Sequence, residues 1–198
     1  MHITSYRKMR YFKENYLNPE DTLRILDIGS FDKTGDYNYG LILNEDTWTY
    51  DGLDLKEGNN VDIVVKDPYK WAEIEDRTYD VIVSGQSLEH NEFFWLTMNE
   101  VDRVLKPGGI ICFIAPSSGP VHRNPYDCWR FTDKGMESMA KYVGFKVLES
   151  GTNPGDENPW HDSYVIARKD GNRNTDKLSD KMNELEETLD KILELAKK

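Results

Sequence analysis

The sequence is poor in cysteine: Cys112 lies in an apolar run, Cys128 in a polar segment, and there are no others. Without a Cys-x-x-Cys spacing they form neither a disulfide framework nor a zinc set, so no metal-ligand group is expected and a reducing cytoplasm is the expected compartment. Positive charge is also short. Against 36 Asp and Glu there are 25 Lys and Arg, a formal charge of -11. Nucleic-acid binding relies on cations that neutralise phosphates, so no nucleic-acid partner is expected. Long apolar runs are missing as well. None approaches the roughly 18 residues of a membrane span, and the start MHITSYRKMR leads into a polar, aromatic segment instead of a signal-peptide core. The expectation is a soluble, unexported protein with a small or neutral partner.

One further scarcity is local. Residues 24–35 read RILDIGSFDKTG, an apolar strand ending at Asp27 and entering a loop with too few glycines to cradle a phosphate. A dinucleotide loop of the form G-x-G-x-x-G uses its glycines for a tight turn and for close approach to the pyrophosphate. Phe31 and Lys33 interrupt that pattern, which argues against a nicotinamide-dependent oxidoreductase.

What is present describes one core with appended ends. With 38% hydrophobic residues over 198 positions, the chain can bury a single sizeable core. Tyr6, Met9, Phe12 and Tyr16 recur at helical spacing and predict a helix over 5–17, lying against the domain that follows. The runs LRILDI, TYDGLD, VDIVV, YDVIVS and GIICFIA then alternate with segments that can be helical, which favours a parallel sheet covered by helices. Helices are predicted over 90–105, stopped by KPGG, and over 133–143, stopped by Gly144. FKVLES and SYVIARK complete the sheet as a pair. The expected organisation is a helical segment at 1–22, a main domain at 23–170 and an amphipathic helix at 171–198. In that last segment Leu178, Met182, Leu185, Leu189, Ile192 and Ala196 trace a heptad seam, which fits either a helix packed on its own domain or a homodimer through paired helices.

In an open α/β sheet, ligands collect at the carboxyl ends of the strands. Those ends carry Asp27-Ile28-Gly29-Ser30, Asp54, Asp67-Pro68 and Ser84-Gly85-Gln86. A carboxylate at Asp54 can accept both hydroxyls of a ribose, Leu55 can cover a base, and Asp67 can accept from an exocyclic amine. These residues describe an adenosine site that needs no phosphate.

The order and spacing of ILDIGS, YDGLD, YDVIVS with LEH, and RVLKPGG resemble the class I S-adenosylmethionine-dependent methyltransferases, over residues 23–168. The likeness is closest to a methyltransferase type 11-like group with G-S-x-D-x-x-G after the first strand and H-R-x-P-x-D-x-W-R-F-T later. Here these are residues 29–35 and HRNPYDCWRFT, residues 122–132. The resemblance implies a Rossmann-like, doubly wound, mostly parallel seven-stranded sheet with helices on both faces and an antiparallel last strand. It implies S-adenosyl-L-methionine as cofactor and S-adenosyl-L-homocysteine as product. It also implies that the first loop meets the methionine moiety: Gly29 through close backbone approach, Gly35 through a turn, and Asp27 or a neighbouring carbonyl facing the ammonium. It places Asp54 on the ribose and Asp67 on the adenine amine, with Ser30, Leu55, Pro68, Ser84 and Gln86 completing the cofactor set. Phe31 departs from the commoner G-x-G.

Methyl transfer from a sulfonium is an in-line displacement that depends on proximity, with a base needed only where the acceptor loses a proton. Glu89, His90 and His122 are the candidate acid–base residues, although His90 equally suits a helix start. Arg123, Tyr126, Trp129 and Arg130, beside Asp127, offer stacking and bidentate donors to a substrate. The same segment can alternatively be a lid anchored by Trp129 and Phe131. There is no N/D-P-P-Y/F motif after the fourth strand and no Pro-Cys nucleophile, as nucleic-acid methylating enzymes carry. A small metabolite, sugar or lipid-linked glycan intermediate is therefore the expected acceptor, and relatives with the later block, often associated with surface-glycan biosynthesis, imply a sugar hydroxyl. The competing expectation is a catalytically degenerate cofactor-binding partner module.

Overall fold

A computed structural model describes residues 3–35, 37–123, 126–153 and 159–171. The predicted heptad helix lies outside the described residues, as do Asn124 and Pro125 of the later block.

Seven strands form one sheet: β1 (Leu23–Ile28), β2 (Trp48–Asp54), β3 (Ile63–Val64), β4 (Tyr79–Gly85), β5 (Leu105–Pro116), β6 (Lys146–Thr152) and β7 (Asp162–Arg168), in the order β3-β2-β1-β4-β5-β7-β6. The β1–β2, β2–β3, β1–β4 and β4–β5 pairs are parallel, and β7 runs antiparallel to both β5 and β6. This is the doubly wound, mostly parallel sheet with an antiparallel last strand that the sequence implies.

Side-chain alternation explains its two cores. Leu26, Ile28, Ile82, Ile111 and Phe113 point to one face, where they pack with Met98 and Val101 of α2 (Phe94–Val104) and Met136 and Met139 of α3 (Asp133–Tyr142). The intervening Ile25, Val81, Val83, Ile110 and Cys112 point to the other, where Met9 and Phe12 of α1 (Ile3–Tyr16) meet Tyr39 and Leu43. Strands buried on both faces read as unbroken apolar runs for this reason.

Two boundaries differ from expectation. The helix predicted from His90 begins only at Phe94, after a single 3-10 turn at Leu88–His90. Asn91 breaks the continuity: its backbone is extended, its Oδ1 accepts from the Phe93 N–H, and its Nδ2 donates to Thr97. At the other end α2 passes straight into β5, so KPGG is not a helix stop. It is a bulge, since Tyr79 pairs with Leu105 but Val81 pairs with Ile110, and Gly108 takes φ +81 to allow it. α3 begins as predicted, with Thr132 Oγ1 accepting from the Gly135 N–H at 3.1 Å.

The strand order reverses between β1 and β4, which opens a crevice at their carboxyl ends. Gly29 and Ser87 meet there.

Candidate functional site

The loop after β1 is fastened by its own backbone. Gly29 and Ser30 N–H groups both donate to Leu53 O, at 2.9 and 3.1 Å. Gly29 has φ +75, and a Cβ there would stand 2.2 Å from Ser87 Oγ, so both conformation and space require glycine. Asp32 then folds the rest. Its carboxylate accepts from Thr34 N–H, Thr34 Oγ1, Tyr37 N–H and Asn38 Nδ2 at 3.0 to 3.3 Å. Burial pushes its pKa up, but these donors, with the Gly35 N–H, hold it below the ordinary value. Asp32 is the aspartate of the G-S-x-D-x-x-G block, and the composition of DKTG suits such an Asp-capped turn.

Two carboxylates stand at the ends of β1 and β2. Asp27 is 3% exposed and accepts from Tyr50 Oη at 2.5 Å. Burial pushes its pKa up to about 7, opposed by the Tyr50 hydrogen bond and reinforced by the charge of Asp54. Asp54 Oδ1 accepts from Leu55 N–H at 2.7 Å and Oδ2 from Phe31 N–H at 3.3 Å, which leaves each oxygen a further lone pair. Leu55 and Phe31 are both substantially exposed beside it, and the Phe31 ring lies over the backbone of Gly58.

Other predicted positions divide. Asp67 is exposed, its Oδ1 accepting from Tyr69 N–H, while Pro68 offers its carbonyl to Trp71 Nε1. Gln86 has φ +60 and donates through Nε2 to Asp162 at 3.0 Å, its Oε1 having no partner among the described residues. Two side chains are withdrawn from the crevice. Ser84 is wholly buried, its hydroxyl donating to Ile28 O of the neighbouring strand at 2.9 Å. Ser30 Oγ is buried and faces β2, where a Cβ on Gly52 would lie 2.6 Å away.

Beyond β4 the chain turns tightly through Ser87, Glu89 and His90, against the segment carrying His122. Glu89 is 1% exposed, and its backbone carbonyl accepts from Cys128 and Trp129 N–H groups. Burial pushes its carboxyl pKa up to about 7, with Arg130 lowering it and Asp162 and Asp127 raising it. His90 Nδ1 lies 2.5 Å from Tyr126 O, and the His90 and His122 rings meet edge to face at 4.8 Å.

Asp127 organises the facing segment. It receives Arg130 Nη1 and Nη2 at 2.5 and 2.9 Å and the His122 N–H at 2.6 Å, and this Arg130 fork holds its carboxyl well below the usual range. Arg130 thus spends its planar fork inside the protein and also bonds Pro120 O. Trp129 is half anchor: its indole N–H donates to Asn91 O and its ring meets Phe94, yet it stays 37% exposed. Arg123 and Tyr126 are exposed. No metal set was expected, but the fold brings one possible ligand atom each from Glu89, His90 and His122 within 4.8 Å of one another.

The N-terminal helix reaches this region too. Thr4 Oγ1 donates to Asp162, the residue that binds Gln86, and Ser5 Oγ lies 2.5 Å from Tyr39 Oη, which sits against Gly85. Nothing in the spacing of Thr4, Tyr39 and Asp162 signals these contacts.

Residues 36–113 match the family model described as a methyltransferase domain. The chain is similar in fold to the 1,6-didemethyltoxoflavin-N1-methyltransferase of Burkholderia thailandensis, solved with 1,6-didemethyltoxoflavin and S-adenosylhomocysteine bound. The TM-score is 0.66 at 15% identity, over 84% of this chain and 78% of that one. A putative methyltransferase of Haloferax volcanii, in complex with the Trm112 activator, gives 0.62 at 14% identity over 85% and 90%. The [4+2]-cyclase SpnF gives 0.63 at 15% identity over 84% and 82%. No curated protein matches the sequence.

Proposed function

We propose, from the premise that this chain carries an S-adenosylmethionine-dependent methyltransferase domain, that it methylates a hydroxyl of a small polar acceptor, a sugar or glycan intermediate. The observation that carries the reading is the contact of Gly29 with Ser87, because it joins the loop of the cofactor side to the turn bearing Glu89 and His90. Cofactor and acceptor would then share one wall of the crevice.

In this reading the first loop receives the methionine moiety. Gly29 admits the backbone closely, Asp32 holds the loop's shape, and Asp27 supplies a buried negative charge toward the cofactor's cationic groups. Asp54 uses its remaining lone pairs for the ribose hydroxyls, Leu55 covers the base, and Asp67 accepts from the adenine amine, with Pro68 and Gln86 bordering the pocket. S-adenosylmethionine, when bound, would supply an electrophilic methyl group for in-line displacement by an acceptor oxygen, the electron pair of the broken C–S bond remaining on sulfur. Holding the two groups in line is the protein's main contribution. His122, partly exposed and placed against His90, is the group suited to take the acceptor's proton. Tyr126, Trp129 and Arg123 supply exposed aromatic and cationic surface around it for the acceptor.

The acidic chain supports an uncharged or cationic acceptor over a polyanion. Among the described residues, no helix is long and apolar enough to cross a membrane. The test is incubation with methyl-labelled S-adenosylmethionine and fractionated polar metabolites, including nucleotide sugars, read by mass spectrometry. A labelled product in step with S-adenosylhomocysteine is expected. Label appearing only on protein or nucleic acid would overturn the acceptor class. Because one structural neighbour is a cyclase, transfer of label is the readout, and binding alone does not replace it.

A further inference from the structure

Glu89 raises a problem that the acid–base reading leaves unanswered. Its carboxylate is 1% exposed, and Oε2 has no hydrogen-bond partner among the described residues. A buried polar oxygen without a partner is costly, and a buried charge costs more. Arg130 stands near, but its paired donors go to Asp127. Glu89, Asp127 and Asp162 together outnumber that one guanidinium in carboxylates, so the cluster lacks positive charge.

We infer that Glu89, His90 and His122 form a binding site for a divalent transition-metal ion. Two imidazoles and a carboxylate are a ligand set suited to zinc, iron, cobalt or manganese, and three protein ligands leave open positions on the ion. The three ligand atoms lie within 4.8 Å of one another, and His90 Nε2 stands 3.8 Å from Glu89 Oε1. Bound ligands at ordinary metal distances are separated by about 3 to 3.5 Å, so the set closes by roughly 1 Å around an ion.

The surroundings prepare the ligands. A carbonyl oxygen only accepts, so Tyr126 O fixes the proton on His90 Nδ1 and leaves the lone pair on Nε2, the nitrogen facing Glu89. His122 Nδ1 lies 3.4 Å from the Asp127 carboxylate, itself held by Arg130. Imidazole backed by a carbonyl or carboxylate is the usual arrangement behind a metal-binding histidine. Both histidines are partly exposed, which gives the ion a path in.

The consequence for transfer rests on the function proposed above. An acceptor hydroxyl on an open position of the ion would lose its proton to solvent water more readily, and its oxygen would then form the O–C bond as the C–S bond breaks. With the ion bound, His122 would serve that step as a ligand, and the base role given to it above belongs to the ion-free site.

The test uses the full chain, freed of metal by chelator and titrated with Co(II) alone, followed by visible absorption and calorimetry. One ion per chain with a coordinated-cobalt spectrum is expected. Glu89→Gln and His122→Ala should each weaken binding by at least the roughly 10- to 100-fold that loss of a supporting partner costs a metal site. His122→Ala, at a partly exposed position, serves if Glu89→Gln fails to fold. No saturable binding, or binding unchanged in a folded variant, would overturn the inference. S-adenosylmethionine titrated separately in chelator keeps the two readings distinguishable, since failure there counts against the cofactor site and leaves the cobalt result standing.

Discussion

The backbone N–H of Phe31 donates to Asp54 Oδ2, so the loop that follows β1 is tied to the carboxylate that ends β2. The residue that replaces a glycine of the commoner loop therefore secures the pocket through its main chain, while its ring covers Gly58. Phe31→Ala keeps that N–H and removes only the cover. Calorimetry should show it lowering S-adenosylmethionine affinity by less than Asp54→Ala does; an equal or larger loss would mean that the ring itself contacts the cofactor.

Gly29→Ala should destabilise the fold by roughly 1 to 3 kcal/mol, because the position has φ +75 and the new methyl meets Ser87. Adding Ser87→Gly removes the steric part and leaves the backbone part, so chemical denaturation should show partial recovery. Full recovery would locate the whole cost in the clash.

Asp27 carries a pH signature. Its folded pKa is raised to about 7, so its contribution to stability is complete below the unfolded carboxylate pKa and is lost as pH rises through about 7. A cationic ligand favours the ionised form, so cofactor binding should release a proton below that pH, and affinity should rise as pH increases through it. Titration in buffers of different ionisation heat measures the released proton. Asp27→Asn should abolish the release, and its persistence in that variant would assign the proton elsewhere.

Asp127→Ala removes the acceptor of both Arg130 donors and of the His122 N–H. About 1 to 3 kcal/mol should be lost by thermal denaturation, a buried-pair cost reduced because Arg130 is partly exposed. In the wild type this carboxyl's folded pKa is depressed, so its contribution is present above the unfolded carboxylate pKa and disappears only as pH falls through the lower folded value.

The sheet was legible in the sequence because strands buried on both faces are continuous apolar runs, and the family resemblance implied its antiparallel last strand. Alternation held more than was drawn from it. Ser84 shares the parity of Ile82, which points to the α2 and α3 core, so its burial could have been read. Asp27 shares the parity of Ile25, on the opposite face. The start of α2 was misplaced because apolar periodicity continues through Phe93 while the Asn91 turn breaks the backbone. Contacts between distant segments left no trace in spacing: His90 with His122, and Thr4 with Asp162.

Most depends on a cofactor site built on Asp54 at the crevice between β1 and β4. Titration calorimetry of S-adenosylmethionine into the wild type and Asp54→Ala tests it most directly. The account predicts saturable binding of one cofactor per chain and a loss of about 1 to 3 kcal/mol in the variant as the ribose hydrogen bonds go. No binding to the wild type, or the same affinity in a folded Asp54→Ala, would contradict it.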